Sequence, residues 1–159
     1  MIPNTTHHNM GGVSSLKILL ISDIEEYRNI NNQVKIILVE EKAFKDIYFS
    51  YKSAKVEVTE ISENLYSINI HFLSPKNRIE LYNETKEFVN QKVIVLIKFS
   101  NGVEIVYGSI YCPLIMKYSP TLQSIPSDYN GLSYTLSCKD YSPGRYLYIE
   151  EPEEEPEEE

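Results

Sequence analysis

At 159 residues, with 42% hydrophobic and 24% charged residues, the chain fits one domain whose core needs no disulfide or metal staple, and wholesale disorder is disfavoured. The formal net charge of −8 is localised, because eight of the 23 acidic residues lie in the terminal run EEPEEEPEEE. The remaining body holds fifteen acidic and fifteen basic residues, so it has no field to attract a polyanion. No specific nucleic-acid binding is expected. Apolar runs such as Val93 to Ile97 fall far short of the roughly 20 residues a membrane helix needs. No membrane association is expected, and residues 1–12 lack the basic and apolar regions of a secretory leader.

Residues 1–14 are polar and aperiodic and read as an N-terminal arm. A β-rich domain is expected over residues 15–149, followed by an acidic Glu/Pro tail over 150–159. Leu16 to Ile21 is an apolar run suited to a buried strand, whereas Ile24 to Asn32 is polar and Asn-rich and predicts a loop or short helix. Val34 to Val39 and Ile47 to Tyr51 are further apolar runs. Val56 and Val58, then Tyr66, Ile68, Ile70 and Phe72, alternate with polar residues. Period two is the mark of a strand with one face on the core. The break at Ser62-Glu63-Asn64 makes the two a hairpin.

Ser74-Pro75 is a good helix start, and Ile79, Tyr82, Lys86 and Val89 follow at three-to-four spacing. The pattern predicts one helix over roughly 75–90, packed on a sheet. Lys92 to Phe99 and Val103 to Tyr107 are joined by Ser100-Asn101-Gly102, and Asn-Gly suggests a type I′ turn. Tyr111 to Tyr118 reads as a strand with Pro113 near its start. Ser119 to Asn130 reads as a long loop. Leu132, Tyr134, Leu136 and Cys138 alternate, and Pro143-Gly144 turns the chain into a last strand from Tyr146 to Ile149. The expected fold is mainly β (α+β), an antiparallel two-layer β-sandwich or barrel-like domain with one α-helix packed on it.

Catalytic and metal chemistry find few residues. His7 and His8 sit in the arm, and His71 is out of phase with Ile70 and Phe72, so no convergent metal ligands are expected. There is no G-x-S-x-G elbow and no Gly-rich phosphate loop. Adjacent acids such as Glu25-Glu26 and Glu40-Glu41 point to opposite faces of a strand and read as solvated charges. Neither an enzyme nor a cofactor is expected. Cys112 and Cys138 fall in separate predicted strands and are read as reduced.

Tyrosine is the abundant chemistry. Tyr107, Tyr111, Tyr118, Tyr129, Tyr134, Tyr141, Tyr146 and Tyr148 crowd the C-terminal half. An apolar ring with a polar tip suits half-buried strand positions, protein interfaces and sugar platforms alike. Interaction candidates are Tyr141, Tyr146 and Tyr148 together with the tail glutamates Glu150, Glu151, Glu153, Glu154, Glu155, Glu157, Glu158 and Glu159. That tail is an extended, self-repelling peptide, either a solubilising end or an arm that docks on a basic neighbour.

The segment from the helix to the last strand resembles small structural proteins of tailed phages, crAss-like and related Bacteroidales phages. The likeness rests on Ile79 to Val89, Val93 to Phe99, Asn101-Gly102 and Val106-Tyr107-Gly108. It continues through Pro113-Leu114, Tyr129-Asn130-Gly131, Ser133 to Ser137 and the Pro-Gly turn before the aromatic strand. It covers roughly half the chain, and none of its elements is a catalytic signature. It implies a virion protein of the neck, ring (head–tail connector) or tail, assembled in the host cytoplasm. The implied partners are further copies in a ring-like homo-oligomer and neighbouring virion proteins such as the portal or other neck and tail components. The alternative is a stand-alone β-sandwich module that holds a glycan or peptide on a tyrosine-rich face.

Overall fold

The apolar run Lys92–Phe99 becomes the spine of the sheet, β7, because five consecutive residues from Val93 to Ile97 are buried. A strand with both faces buried must be covered on both sides, and the rest of the chain does this. A computed structural model describes residues 12–50, 53–73, 83, 85–121 and 131–148. Strand β1 (Val13–Leu20) runs antiparallel along one edge of β7, and β4 (Lys45–Ile47) adds to the outer edge of β1. The other edge of β7 is shared. Val95 to Lys98 pair with β8 (Glu104–Tyr107), while Lys92 and Val93 pair with β9 (Leu114–Thr121).

That division splits the sheet into two arms. From β8 it continues to β11 (Arg145–Leu147), β3 (Gln33–Leu38) and β2 (Ile24–Ile30). From β9 it continues to β10 (Gly131–Asp140), β6 (Leu65–Leu73) and β5 (Lys55–Ser62). Among the described residues the result is one sheet of eleven strands that does not close, antiparallel except where β11 runs parallel to β3. The fold is mainly β, as the sequence predicts. Gly108, at φ 81°, lies at the parting of β8 and β9, where a Cβ would sit 3.3 Å from Leu114 Cγ. Only glycine takes that backbone without strain.

The arm through β9, β10 and β6 folds back over β1 and β7. Ile68, Ile70, Phe72, Met116, Tyr134 and Leu136 pack in one cluster with Leu16, Ile18, Val93, Val95 and Ile97. On the opposite face of β7, Ile94 and Leu96 join Leu19, Val34 and Val106 under a rim of Tyr27, Ile36, Leu38 and Leu147. Each fully buried aliphatic or aromatic side chain contributes about 1.5–3 kcal/mol, so these two clusters hold most of the fold's stability. Tyr134 stacks on Phe72 with centroids 5.0 Å apart, and its hydroxyl shares a buried 2.7 Å hydrogen bond with Thr85 Oγ1.

Several expectations change. Ile24–Ile30 is a strand rather than a loop or short helix, paired with β3 through a two-residue turn in which Asn31 takes φ 57°. Its polar residues belong to an edge strand, and a bulge between Ile24 and Glu26 breaks the alternation that would betray it. The Ser100-Asn101-Gly102 hairpin forms, but not as type I′. Only Gly102 has positive φ, Gly102 N–H donates to Phe99 O and Phe99 N–H to Val103 O. This is a type I turn closed by a glycine bulge. Cys112 lies in the bend before β9, not within a strand. Most of the expected helix, residues 74–82 and 84, lies outside the described residues, as do most of the long loop, 122–130, and the whole acidic tail. Asn83 and Thr85 are helical, and turns follow to Asn90.

Candidate interaction surface

Strand β10 alternates outward and inward, and the phase that buries Tyr134 and Leu136 also turns Asp140 inward. A carboxylate in that position needs a counter-charge. Arg145 supplies it from across the Pro143-Gly144 turn. Nη1 donates to Oδ2 at 2.9 Å and Nη2 to Oδ1 at 3.2 Å, a bidentate pair. The two side chains are 11% and 2% exposed, so solvent screens this pair little. The Asp140 hydrogen bonds and charge keep the Arg145 guanidinium protonated against the opposing effect of burial, and its pKa is raised.

The pair organises its surroundings. The Tyr27 hydroxyl from β2 is buried without a hydrogen-bond partner among the described residues, and burial, opposed by nearby Arg145, pushes its phenol pKa up. Both cysteines sense Asp140. Burial first and the neighbouring carboxylate second raise the Cys112 thiol, and the same causes push Cys138 up to about 12. Both are free. At neutral pH a thiol of that pKa is almost wholly protonated, and the thiolate is the nucleophile. Alkylation by iodoacetamide at pH 7.5 (about neutral) should therefore modify Cys138 at least tenfold more slowly than it does in the urea-unfolded chain. Equal rates would contradict this environment.

The chain neighbours of these residues present rings to solvent, Tyr146 from the opposite face of β11, since it pairs with Ile105 while Arg145 pairs with Val106. Tyr141 adjoins Asp140 and is 74% exposed, Tyr146 adjoins Arg145 and is 53% exposed, and Tyr111 adjoins Cys112 and is 78% exposed. Tyr148 is half-buried, its N–H donating to Val34 O at 2.9 Å, which fixes the end of the described chain beside β3. Tyr107 and Tyr134 are core residues, and burial pushes Tyr107 up to about 12. Tyr118 is at the rim and Tyr129 lies outside the described residues. The eight tail glutamates, Glu150 to Glu159, also lie outside them.

Tyr141 and Tyr146, singled out by residue type, are exposed, whereas the ion pair next to them in sequence was missed. The signal was present: Asp140 continues the phase of Tyr134, Leu136 and Cys138, which marks it as inward. The turn between the partners is itself constrained. Gly144 has φ 149°, and a Cβ there would come within 2.7 Å of Ile105 Cγ2 and 3.1 Å of Tyr107 Cε1. Gly144→Ala should cost about 1–3 kcal/mol, seen as a lower urea midpoint with unchanged m-value.

Among the described residues no group of three or more His, Cys, Asp or Glu side chains could hold a metal ion. No helix there is long and apolar enough to cross a membrane. The chain matches no known family model, curated protein or solved structure. What the described surface offers chemically is three exposed aromatic rings, Tyr111, Tyr141 and Tyr146, next in sequence to buried or half-buried polar residues.

Proposed function

We propose that this chain is a structural protein of a tailed-phage particle, a neck, ring or tail component that acts by assembling with copies of itself and with neighbouring virion proteins. The observation that carries the assembly reading is the exposure of three tyrosine rings, Tyr111 at 78%, Tyr141 at 74% and Tyr146 at 53%. Exposed rings cost free energy in water and gain it in an interface, where tyrosine is enriched. A tyrosine has only two side-chain torsions to order, so more of the contact free energy survives as affinity. The phage context rests on the sequence resemblance over residues 79–149.

The fold's open ends fit the same reading. Strands β2 and β5 are outer strands, each paired on one side among the described residues, and β5 leaves Val58 and Ile61 exposed. Such edges invite pairing unless managed by charge, and Glu57 and Glu60 on β5 and Glu25 and Arg28 on β2 supply that charge. Assembly would then use side-chain patches in preference to these two edges.

The test compares the full chain with the variant Tyr111→Ser, Tyr141→Ser, Tyr146→Ser by light scattering behind size exclusion. The reading expects an oligomer for the full chain and a loss of mass for the variant, at unchanged Tm. An equal mass for both would remove the tyrosines from the interface. A monomeric full chain that binds an oligosaccharide or peptide through the same rings would favour the stand-alone binding module.

A further inference from the structure

Strand β1 is unequally paired. Its contact with β7 extends from Val13 to Leu20, but β4 covers its second edge only from Leu16 to Ile18. After Ile47 the chain leaves β1 and crosses to the other layer, where Ser50 N–H donates to Leu73 O at 2.7 Å. The second edge of β1 at Val13–Ser15 therefore has no strand partner among the described residues. Between that edge and the crossing segment lies a notch of about 850 Å³, with Val13, Leu16, Ile47 and Phe49 on its apolar wall and Ser15 and Asp46 at its polar side. An open strand edge above an apolar floor is the form that accepts an added strand.

We propose that this notch receives residues 1–11 of a neighbouring copy, an exchange of arms that links subunits of the assembly proposed above and rests on that reading. Three observations choose this occupant. Residues 1–11 contain no Lys, Arg, Asp or Glu, in a chain that is 24% charged, so they can enter an apolar notch without burying a formal side-chain charge. Ile2, Thr5 and Thr6 are β-branched, which suits an added strand. Gly12, the first described residue, is pinned beside β7: its carbonyl accepts from Ser100 N–H at 3.0 Å and from Ser100 Oγ at 2.9 Å. The chain is thus held in line with β1 and level with β7 where it enters the strand. Eleven extended residues reach about 36–40 Å, more than twice the radius of gyration, about 15 Å, of a domain this size. A neighbour's notch is within reach.

The test uses light scattering and thermal melts on the full chain, a variant lacking residues 1–11, and Ser15→Trp, which fills the notch from its polar side without touching the arm. The proposal expects an oligomeric full chain, with both variants falling to the mass of a single chain at a Tm close to that of the full-length monomer fraction. If both variants keep the oligomer, the notch is not the acceptor; the proposal fails while assembly through the tyrosines stands. If only the deletion dissociates it, the arm docks elsewhere and the notch is again excluded. If the full chain is a monomer whose Tm falls on deletion, the arm closes its own notch, which overturns the exchange. A monomer indifferent to both changes overturns the exchange and counts against the assembly reading too.

Discussion

Replacing Arg145 by Met should destabilise the domain by about 3–5 kcal/mol, because it strands the Asp140 carboxylate in a buried site. Asp140 is 2% exposed and both its oxygens are engaged by Arg145, so no water can readily take the guanidinium's place. The pair itself adds much less than its loss would suggest, since desolvation of the two charges offsets most of their attraction. The double variant Asp140→Leu, Arg145→Met should accordingly be more stable than Arg145→Met alone. Urea denaturation of the four chains of this cycle gives both quantities. A single variant within about 1 kcal/mol of wild type would mean that the pair is solvated in solution, contrary to its burial. The effect reaches the surface as well. Arg145 and Asp140 bracket the turn that carries Tyr141 and precede Tyr146, so Arg145→Met should also weaken assembly at temperatures where the fold survives.

Alkaline titration should destabilise the protein from about pH 9 upward. Burial raises Tyr107 from 10.0 to about 12, and burial with Asp140 nearby raises Cys138 from 9.0 to about 12. Both groups are neutral when protonated, and their folded pKa values lie above the unfolded ones. Their contribution is fully present below the unfolded values, near pH 9 for the thiol and pH 10 for the phenol, and is lost as pH rises toward 12. At about 1.4 kcal/mol per pKa unit, three units for the thiol and two for the phenol together remove at most about 7 kcal/mol, less where solvent reaches the half-buried Cys138. That is comparable with the whole stability of many domains. Stability measured by urea at successive pH values should be flat to about pH 9 and then fall steeply. Cys138→Ala should lessen the fall above about pH 9, leaving Cys112 and the Tyr107 and Tyr27 phenols to carry what remains. A fall of unchanged size would show that Cys138 does not contribute to it.

Much of this fold was written in periodicity. Ile68, Ile70 and Phe72 on β6 and Tyr134 and Leu136 on β10 alternate because one face meets the core, and that pattern survives translation into sequence. β7 was equally legible for the opposite reason: an apolar run without alternation marks a strand covered on both faces. β2 was not legible. Its apolar residues, Ile24, Tyr27 and Ile30, fall three apart, and the bulge near Glu26 shifts the phase that would have revealed a strand. The Asn101-Gly102 pair announced a hairpin but not its geometry, because one positive φ at Gly102 satisfies a bulged turn as well as two satisfy a primed one.

The surface was half legible. Tyr141 and Tyr146 stood out by residue type, while the Asp140–Arg145 ion pair did not, since charged residues near a Pro-Gly turn ordinarily read as solvated. Its partners are only five residues apart, yet what buries them is remote in sequence: Tyr27 of β2 and Cys112 from the bend before β9. Branching of the sheet at β7 was likewise invisible, because which strand takes which half of an edge is decided by tertiary packing. The open notch beside β1 follows from that same inequality, an eight-residue strand flanked on one side by a three-residue one.

The most direct measurement of the central claim is negative-stain electron microscopy of the full-length chain taken from its main size-exclusion peak. Closed rings of uniform copy number are the expected result, since heterologous contacts repeated by one rotation close on themselves. Single particles of the size of one chain, unchanged across concentration, would contradict assembly and leave the tyrosine surface as a site for a different partner.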